Sequence, residues 1–94
     1  MIVSFADRAT ELLYRTRQAP RRFPHELGAA ALRKLDMLDA ADALIDLRSP
    51  PSNRLELLKG QLAGMHSVRI NDQWRLVFRW TDGDAYKVQI LDYH

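Results

Sequence analysis

The chain has 94 residues, the size of a single domain, and its hydrophobic share of 47% is enough to build a core. A wholly disordered chain is therefore excluded. The absence of cysteine excludes a disulfide scaffold, a thiol nucleophile and a cysteine-ligated zinc site. Lys and Arg number 14 against 12 Asp and Glu, which leaves a net charge of +2. We expect one domain over residues 1–94, in a reducing cytoplasmic compartment and without a signal peptide or a membrane span.

The N-terminal half is predicted to form a short strand followed by two helices. Residues 1–3 favour a brief strand because two of them are β-branched. Ser4 is expected to cap a first helix that ends near Gln18. Pro24 is expected to begin a second helix, whose apolar residues recur at helical spacing as far as Ile45.

Several polar residues are interpreted as structural rather than functional. The second helix carries aspartates at steps of three and four residues: Asp36, Asp39, Asp42 and Asp46. We interpret them as a solvated face, since no His or Glu completes a metal coordination shell. His25 and His66 are expected at the surface, and the segment from Gly60 to Gly64 is expected to be a turn between strands.

The C-terminal half changes from helical to alternating apolar spacing after Pro51. Strands are predicted around Leu55 and Leu57, around Val68 and Ile70, from Trp74 to Trp80, and from Tyr86 to Ile90. Helices followed by strands predict an α+β fold, with two N-terminal helices packed on one face of a small, mainly antiparallel twisted sheet. Matching the apolar faces places Leu76 opposite Val68 and Ile90, with three-residue loops in both hairpins.

The same registers predict a cationic second face of the sheet. It would carry Arg69, Arg75, Arg79 and Lys87. Neighbouring cations on adjacent strands repel by up to about 1 kcal/mol per pair unless an anion joins them. The face is therefore either a solubilising surface or a surface that binds phosphate groups.

The chain ends in an acid, a phenol and an imidazole, Asp92, Tyr93 and His94. Attack of an RNA 2′-OH on the adjacent phosphorus needs a proton acceptor and a proton donor, which these side chains could provide. Arg75 and Lys59 could stabilise the charge that builds on the phosphate. Alternation places Asp92 and His94 on the helix side of the sheet, so the three side chains converge only if the strand end bends. The alternative is a frayed chain end.

The second half of the chain also carries a set of recognisable motifs. They are Leu58-Lys59-Gly60, Leu62-Ala63-Gly64, Ser67-Val68-Arg69-Ile70-Asn71, Trp74-Arg75-Leu76, Gly83-Asp84-Ala85-Tyr86 and Asp92-Tyr93-His94. Together they resemble the HigB-type toxins of the RelE/ParE superfamily. The resemblance implies a ribosome-dependent messenger-RNA endonuclease, the toxin of a bacterial type II toxin–antitoxin pair. It also implies a helix-turn-helix antitoxin similar to HigA, through which alone the toxin would reach operator DNA.

The resemblance implies which residues form the RNA-cleaving site, and the chemistry of 2′-OH attack requires no metal or other cofactor there. The matching positions are Lys59, Arg75, Asp92, Tyr93 and His94, with Arg69, Arg79 and Lys87 expected to bind RNA from the cationic face. Glu56 and His66 depart from the family pattern, because some relatives have a His at the first position and an aromatic residue is frequent at the second. Two other classes remain open: a ParE-type inhibitor of DNA gyrase and a non-catalytic interaction domain.

Overall fold

The computed structural model describes residues 1–92 and shows helices on one face of a four-stranded sheet. The helices are α1 (Arg8–Thr16) and α2 (Leu27–Ala40), and the strands are β1 (Glu56–Leu57), β2 (His66–Arg69), β3 (Trp74–Thr81) and β4 (Asp84–Asp92). Strand order follows the chain, and each neighbouring pair is antiparallel. The predicted fold class is confirmed.

The first helix begins later than the sequence predicts. Its N-cap is Asp7, whose carboxylate accepts from a backbone N–H in the first turn. Ser4 instead accepts a hydrogen bond from the backbone N–H of Lys87 at 3.0 Å, so the predicted cap at Ser4 is wrong. The residues around Ser4 pair with β4 and are therefore unavailable for helix capping. The helix ends at Thr16, close to the predicted end at Gln18.

The second helix is shorter than its apolar periodicity predicts. It begins at Leu27 rather than at Pro24, because the intervening residues form a turn. It ends at Ala40, since the backbone of Ala41 is extended. Ile45 lies in a separate 3-10 turn with 66% of its surface exposed, so its predicted place on the buried stripe is wrong.

The aspartates of this region make specific contacts, which the interpretation as a solvated face did not include. Asp36 pairs with Arg17 at 2.9 Å, and Asp39 accepts from the backbone N–H of Ile2 at 2.8 Å. Asp46 accepts from two backbone N–H groups that precede its 3-10 turn. Within residues 1–92, no group of three or more His, Asp and Glu side chains could hold a metal ion.

The β2–β3 hairpin has the predicted register. Val68 lies opposite Leu76, and the backbone N–H of Ile70 donates to the carbonyl of Trp74 at 2.9 Å. A loop of three residues, 71–73, follows from these pairings. Face matching was sufficient here because both strands present one apolar face to the helices.

The β3–β4 hairpin combines the predicted register with an unpredicted turn. Leu76 lies opposite Ile90 as expected, but the loop is the two-residue turn Asp82-Gly83, with φ of 51° and 84°. The predicted three-residue loop is wrong. A β-bulge at Lys87, whose φ is 54°, inserts one extra residue into β4. This extra residue allows the two-residue turn and the pairing of Leu76 with Ile90 to occur in the same hairpin.

Residues at the start of the chain cover the outer edge of β4. The expected short strand is reduced to two isolated parallel bridges, Ile2 to Ala85 and Phe5 to Val88. Four backbone hydrogen bonds of 2.8–3.1 Å support them. The outer edge of β4 is thereby paired over this stretch.

The sheet has an apolar cluster on each face. The larger cluster lies between the helices and the sheet, and its fully buried members include Leu13, Leu35, Leu38, Leu76, Phe78, Val88 and Ile90. The smaller cluster, Leu58, Met65 and Val77 with Leu62 and Leu91, lies on the second face. The segment between β1 and β2 supplies three of its five members and covers part of that face. Neither helix in the described part of the chain is both long and apolar enough to cross a membrane.

Candidate active site

Arg75 is a buried arginine on the second face of the sheet. Its relative exposure is 7%, and its position in β3 is opposite Arg69 in β2 and Leu91 in β4. The Arg75 Nε donates to Ser67 Oγ at 2.8 Å, and its Nη2 donates to the carbonyl of Arg54 at 2.7 Å. These bonds fix the plane of the guanidinium before any ligand arrives.

A polar cleft of about 300 Å³ lies beside Arg75. It is lined by Arg54, Arg69, Asn71, Asp72 and Arg75. Arg69 forms an ion pair with Asp72, and Glu56 Oε1 lies 3.8 Å from Arg75 Nη1. Both carboxylates are at least half exposed, so water screens these pairs and they offset only part of the repulsion among the arginines. We name this feature the arginine cleft.

Arg54 and Ser67 contribute to the site in ways that the sequence analysis did not assign. β1 pairs with β2 through Glu56 and Ser67, which puts Glu56 on the face of Arg75. Arg54 is two residues earlier, so the alternation implied by Leu55 and Leu57 could have placed it there too. The hydrogen bond from Arg75 to Ser67 could not be predicted, because it depends on the β2–β3 register and on burial together.

The other predicted cations do not form one continuous face. Lys59 follows β1 beyond Leu57, whose partner His66 is at the opposite end of β2 from Arg69. The register therefore separates Lys59 from Arg75 along the sheet. Arg79 is exposed in β3, and its partner in β4 is Tyr86 rather than Lys87 because of the bulge. Arg69, Arg75 and Arg79 share the second face as predicted, but the small apolar cluster, which includes Val77 between Arg75 and Arg79, interrupts it, so the cations are not contiguous.

Asp92 is the last described residue and lies opposite Trp74. Its carboxylate accepts from Gln73 Nε2 at 3.0 Å. This pairing puts Asp92 on the helix side of the sheet, as the alternation predicts, while Arg75 is on the other side. Tyr93 and His94 lie outside the described residues, so the predicted convergence of the terminal triplet stays a prediction.

His66 is not the surface residue that the sequence suggests. It is half-buried, and its ring stacks on Phe78 with centroids 6.3 Å apart. Desolvation by burial lowers the pKa of His66 below its ordinary value, which favours the neutral imidazole. It lines an apolar groove of about 450 Å³ together with Ile45 and Leu57, away from the arginine cleft. His25 is exposed, as predicted.

Solved structures of other proteins share this fold. The structure superposes with a TM-score of 0.60 on the toxin–antitoxin complex of YoeB and YefM from Staphylococcus aureus, at 19% identity and with 100% of this chain and 98% of that chain covered. It superposes with a TM-score of 0.61 on YafQ from E. coli strain BL21(DE3), at 14% identity and with 98% and 91% covered. Identities this low establish a shared fold and nothing more.

Sequence comparison identifies the family to which the chain belongs. Residues 3–94 match the family model described as the RelE-like toxin of type II toxin-antitoxin system HigB. The chain is 45% identical over 94 residues to Toxin HigB-1 of Vibrio cholerae serotype O1, covering 100% of this chain and 98% of that protein. It is 33% identical over 61 residues to Endoribonuclease HigB of Proteus vulgaris, covering 65% of each chain. The chain therefore belongs to the HigB family of RelE-like toxins of type II toxin–antitoxin systems.

Proposed function

We propose that this toxin is an endoribonuclease that cleaves messenger RNA on the ribosome and so inhibits translation. The observation that carries the proposal is the buried guanidinium of Arg75, held by Ser67 and by the carbonyl of Arg54 beside the arginine cleft. A preoriented cation stabilises charge on a phosphate without first having to reorganise. The name of the Proteus vulgaris relative, Endoribonuclease HigB, supports the same reaction.

The reaction that suits these side chains is internal transesterification of RNA. The 2′-OH attacks the adjacent phosphorus, the bond between phosphorus and O5′ breaks, and the products are a 2′,3′-cyclic phosphate and a 5′-OH. One group must remove the 2′-OH proton and another must protonate the leaving oxygen. Arg75 stabilises the negative charge on the non-bridging oxygens in the transition state.

The remaining roles go to residues near the chain end and to the exposed cations. In this proposal His94 is the general acid or base, Asp92 supports it, and Tyr93 positions the nucleotide. Lys59, which the register separates from Arg75 along the sheet, contributes positive charge to a neighbouring part of the RNA backbone. The other cations, Arg69, Arg79 and Lys87, contact the RNA backbone, and the cleavage uses side chains without a metal ion.

The partner in this proposal is a HigA-like helix-turn-helix antitoxin, and the ribosome presents the message. A domain of this size buries only roughly 60–65% of the surface of its unfolded chain, so a bound partner adds to its stability. The pair would act in the cytoplasm, and operator DNA would be contacted through the antitoxin.

The test is primer extension on a message incubated with the protein in a purified translation system, compared with the same mixture without ribosomes. We expect the message to be cut within codons, and only when ribosomes are present. The substitution His94→Ala should lower the cleavage rate by about 10²- to 10⁴-fold, because proton transfer contributes on that scale. His25→Ala is the matched control, since it removes an exposed imidazole far along the chain from the site, and it should cleave at the wild-type rate.

Two results would contradict the proposal. If folded His94→Ala cleaves like the wild type, the assignment of His94 is wrong. If the folded wild-type protein makes no cuts but inhibits supercoiling by DNA gyrase, the toxin belongs with the ParE-type inhibitors instead.

A further inference from the structure

Arg54 occupies an unusual backbone position next to Arg75. It follows the 3-10 turn Pro51–Asn53, and its φ of 46° and ψ of 58° lie in the left-handed region. Non-glycine residues adopt this conformation at a cost, and such strain is concentrated at functional sites. Here the conformation accompanies a carbonyl that accepts from Arg75 and a side chain that lines the arginine cleft. The backbone carbonyl and the side chain of Arg54 therefore both contribute to the same site.

Among the described residues, the guanidinium of Arg54 is the cation of the cleft without a counterion. Asp72 pairs with Arg69, and Glu56 approaches Arg75. In the stretch 1–92, the Arg54 side chain makes neither a hydrogen bond nor an ion pair. An unpaired cation beside two others raises the local positive potential, so the cleft attracts an anion.

We propose that Arg54 is a substrate-contacting residue, which together with Arg75 binds one backbone phosphate of single-stranded RNA in the arginine cleft. The inference rests on the proposed nuclease function. Arg54 is then the second phosphate-binding cation beside Arg75, a role that the sequence analysis gives to Lys59. The β1–β2 register supports this choice, because Lys59 lies toward the opposite end of β2.

The size and chemistry of the cleft favour a phosphodiester. Two guanidinium groups can each present two N–H donors to the oxygens of one phosphate. The volume of about 300 Å³ is at the small end of ligand pockets, which suits a phosphate and its sugar. Asn71 adds an amide to the lining, where it can contact the ribose or the phosphate.

The experiment measures binding apart from cleavage. A fluorescein-labelled 2′-O-methyl RNA oligonucleotide lacks the attacking hydroxyl, so its affinity can be followed by fluorescence anisotropy at several salt concentrations. We expect Arg54→Asn to weaken binding about tenfold, the loss of one charge-assisted contact. The slope of log affinity against log salt should fall by about 0.7, the value for one phosphate of a single strand. Asn suits the left-handed backbone, so the carbonyl that holds Arg75 is retained.

Two further variants separate charge from shape and from general effects. Arg54→Lys keeps the charge but not the planar fork, so it should keep the wild-type salt slope at intermediate affinity. Arg17→Asn is the matched control, because Arg17 is another exposed arginine with a positive φ of 65°, located at the end of α1. It should bind the oligonucleotide with nearly the wild-type salt slope. Thermal unfolding of each variant confirms that the fold is retained.

The outcomes distinguish this inference from the function on which it rests. Wild-type cleavage of translated message, with Arg54→Asn binding as tightly and as salt-dependently as the wild type, overturns the role of Arg54 and leaves the nuclease intact. A wild-type protein that neither cleaves message nor binds the oligonucleotide overturns both. Equal losses in Arg54→Asn and Arg17→Asn would show a general charge effect and also overturn the inference.

Discussion

The imidazole of His66 is a titrating group inside the fold and away from the arginine cleft. Burial lowers its pKa, so the folded chain binds its proton at lower pH than the unfolded chain does. Its contribution to stability is complete above the unfolded pKa of about 6.5 and is lost as the pH falls toward the folded pKa. Acidification should therefore destabilise the protein partly through this residue.

We predict that the wild type loses more unfolding free energy between pH 7 and pH 5 than His66→Phe does. The phenyl ring can stack on Phe78 without taking up a proton. Urea unfolding at several pH values measures the difference. The exposed His25 gives the control His25→Gln, whose pH dependence should follow the wild type. Parallel pH profiles for His66→Phe and the wild type would contradict the prediction.

The residues of the site differ in how far the sequence could identify them. Arg75 could be placed on the second sheet face because a single strand alternates over its whole length. Its contacts with Ser67 and Arg54 could not be predicted, since these partners are 8 and 21 positions earlier in the chain and are brought near only by the folding of the sheet. Lys59 was assigned from its motif, and motif membership carries no information on distance along the sheet.

Among the elements, β4 shows how a turn and a sheet register can make opposing demands. The turn Asp82-Gly83 favours a two-residue hairpin, while the apolar faces require Leu76 opposite Ile90. One extra residue in β4 satisfies both, at the cost of a positive φ at Lys87. Periodicity gave the register correctly, but a bulge has no apolar signature of its own and was missed.

We predict that the bulge position tolerates few side chains. Lys87→Val should lower the free energy of unfolding by about 1–2 kcal/mol, because β-branched residues strongly disfavour the left-handed region. Lys87→Asn should be close to neutral, since Asn adopts this conformation readily. The exposed Thr81 in β3 provides the control Thr81→Val, which should change stability little. Chemical denaturation measures all three, and an equally stable Lys87→Val would mean that the bulge is not retained.

For the whole molecule, the sheet separates the principal core from the candidate chemistry. The helices bury one face, while the other carries the small apolar cluster with the arginine cleft beside it. The helix-to-strand order of the sequence predicts the first of these layers. The second depends on the segment between β1 and β2 folding back over the sheet, a long-range arrangement without a local pattern. This explains why the fold class was predicted more fully than the site.

The closure of the sheet by the first residues of the chain leads to a prediction for the whole fold. Deleting residues 1–5 removes the backbone partners of Ala85 and Val88 and exposes the edge of β4. The deleted residues make three backbone hydrogen bonds with β4, and Ile2 and Ser4 make one more each, with Asp39 and Lys87. At about 1 kcal/mol for each of these five hydrogen bonds, the free energy of unfolding should fall by about 5 kcal/mol. The bare edge should also promote self-association, because unpaired strand edges join with one another.

Urea unfolding and sedimentation velocity measure these two effects on the same samples. The control is Val3→Ser, which changes an exposed side chain but keeps every backbone hydrogen bond of the segment. It should have the sedimentation coefficient and nearly the unfolding midpoint of the wild type. A deletion variant with the wild-type unfolding midpoint and sedimentation coefficient would show that the first residues are dispensable. Loss of stability without new association would instead mean that the exposed edge of β4 is protected by its own twist and bulge, since both turn a strand edge away from partners.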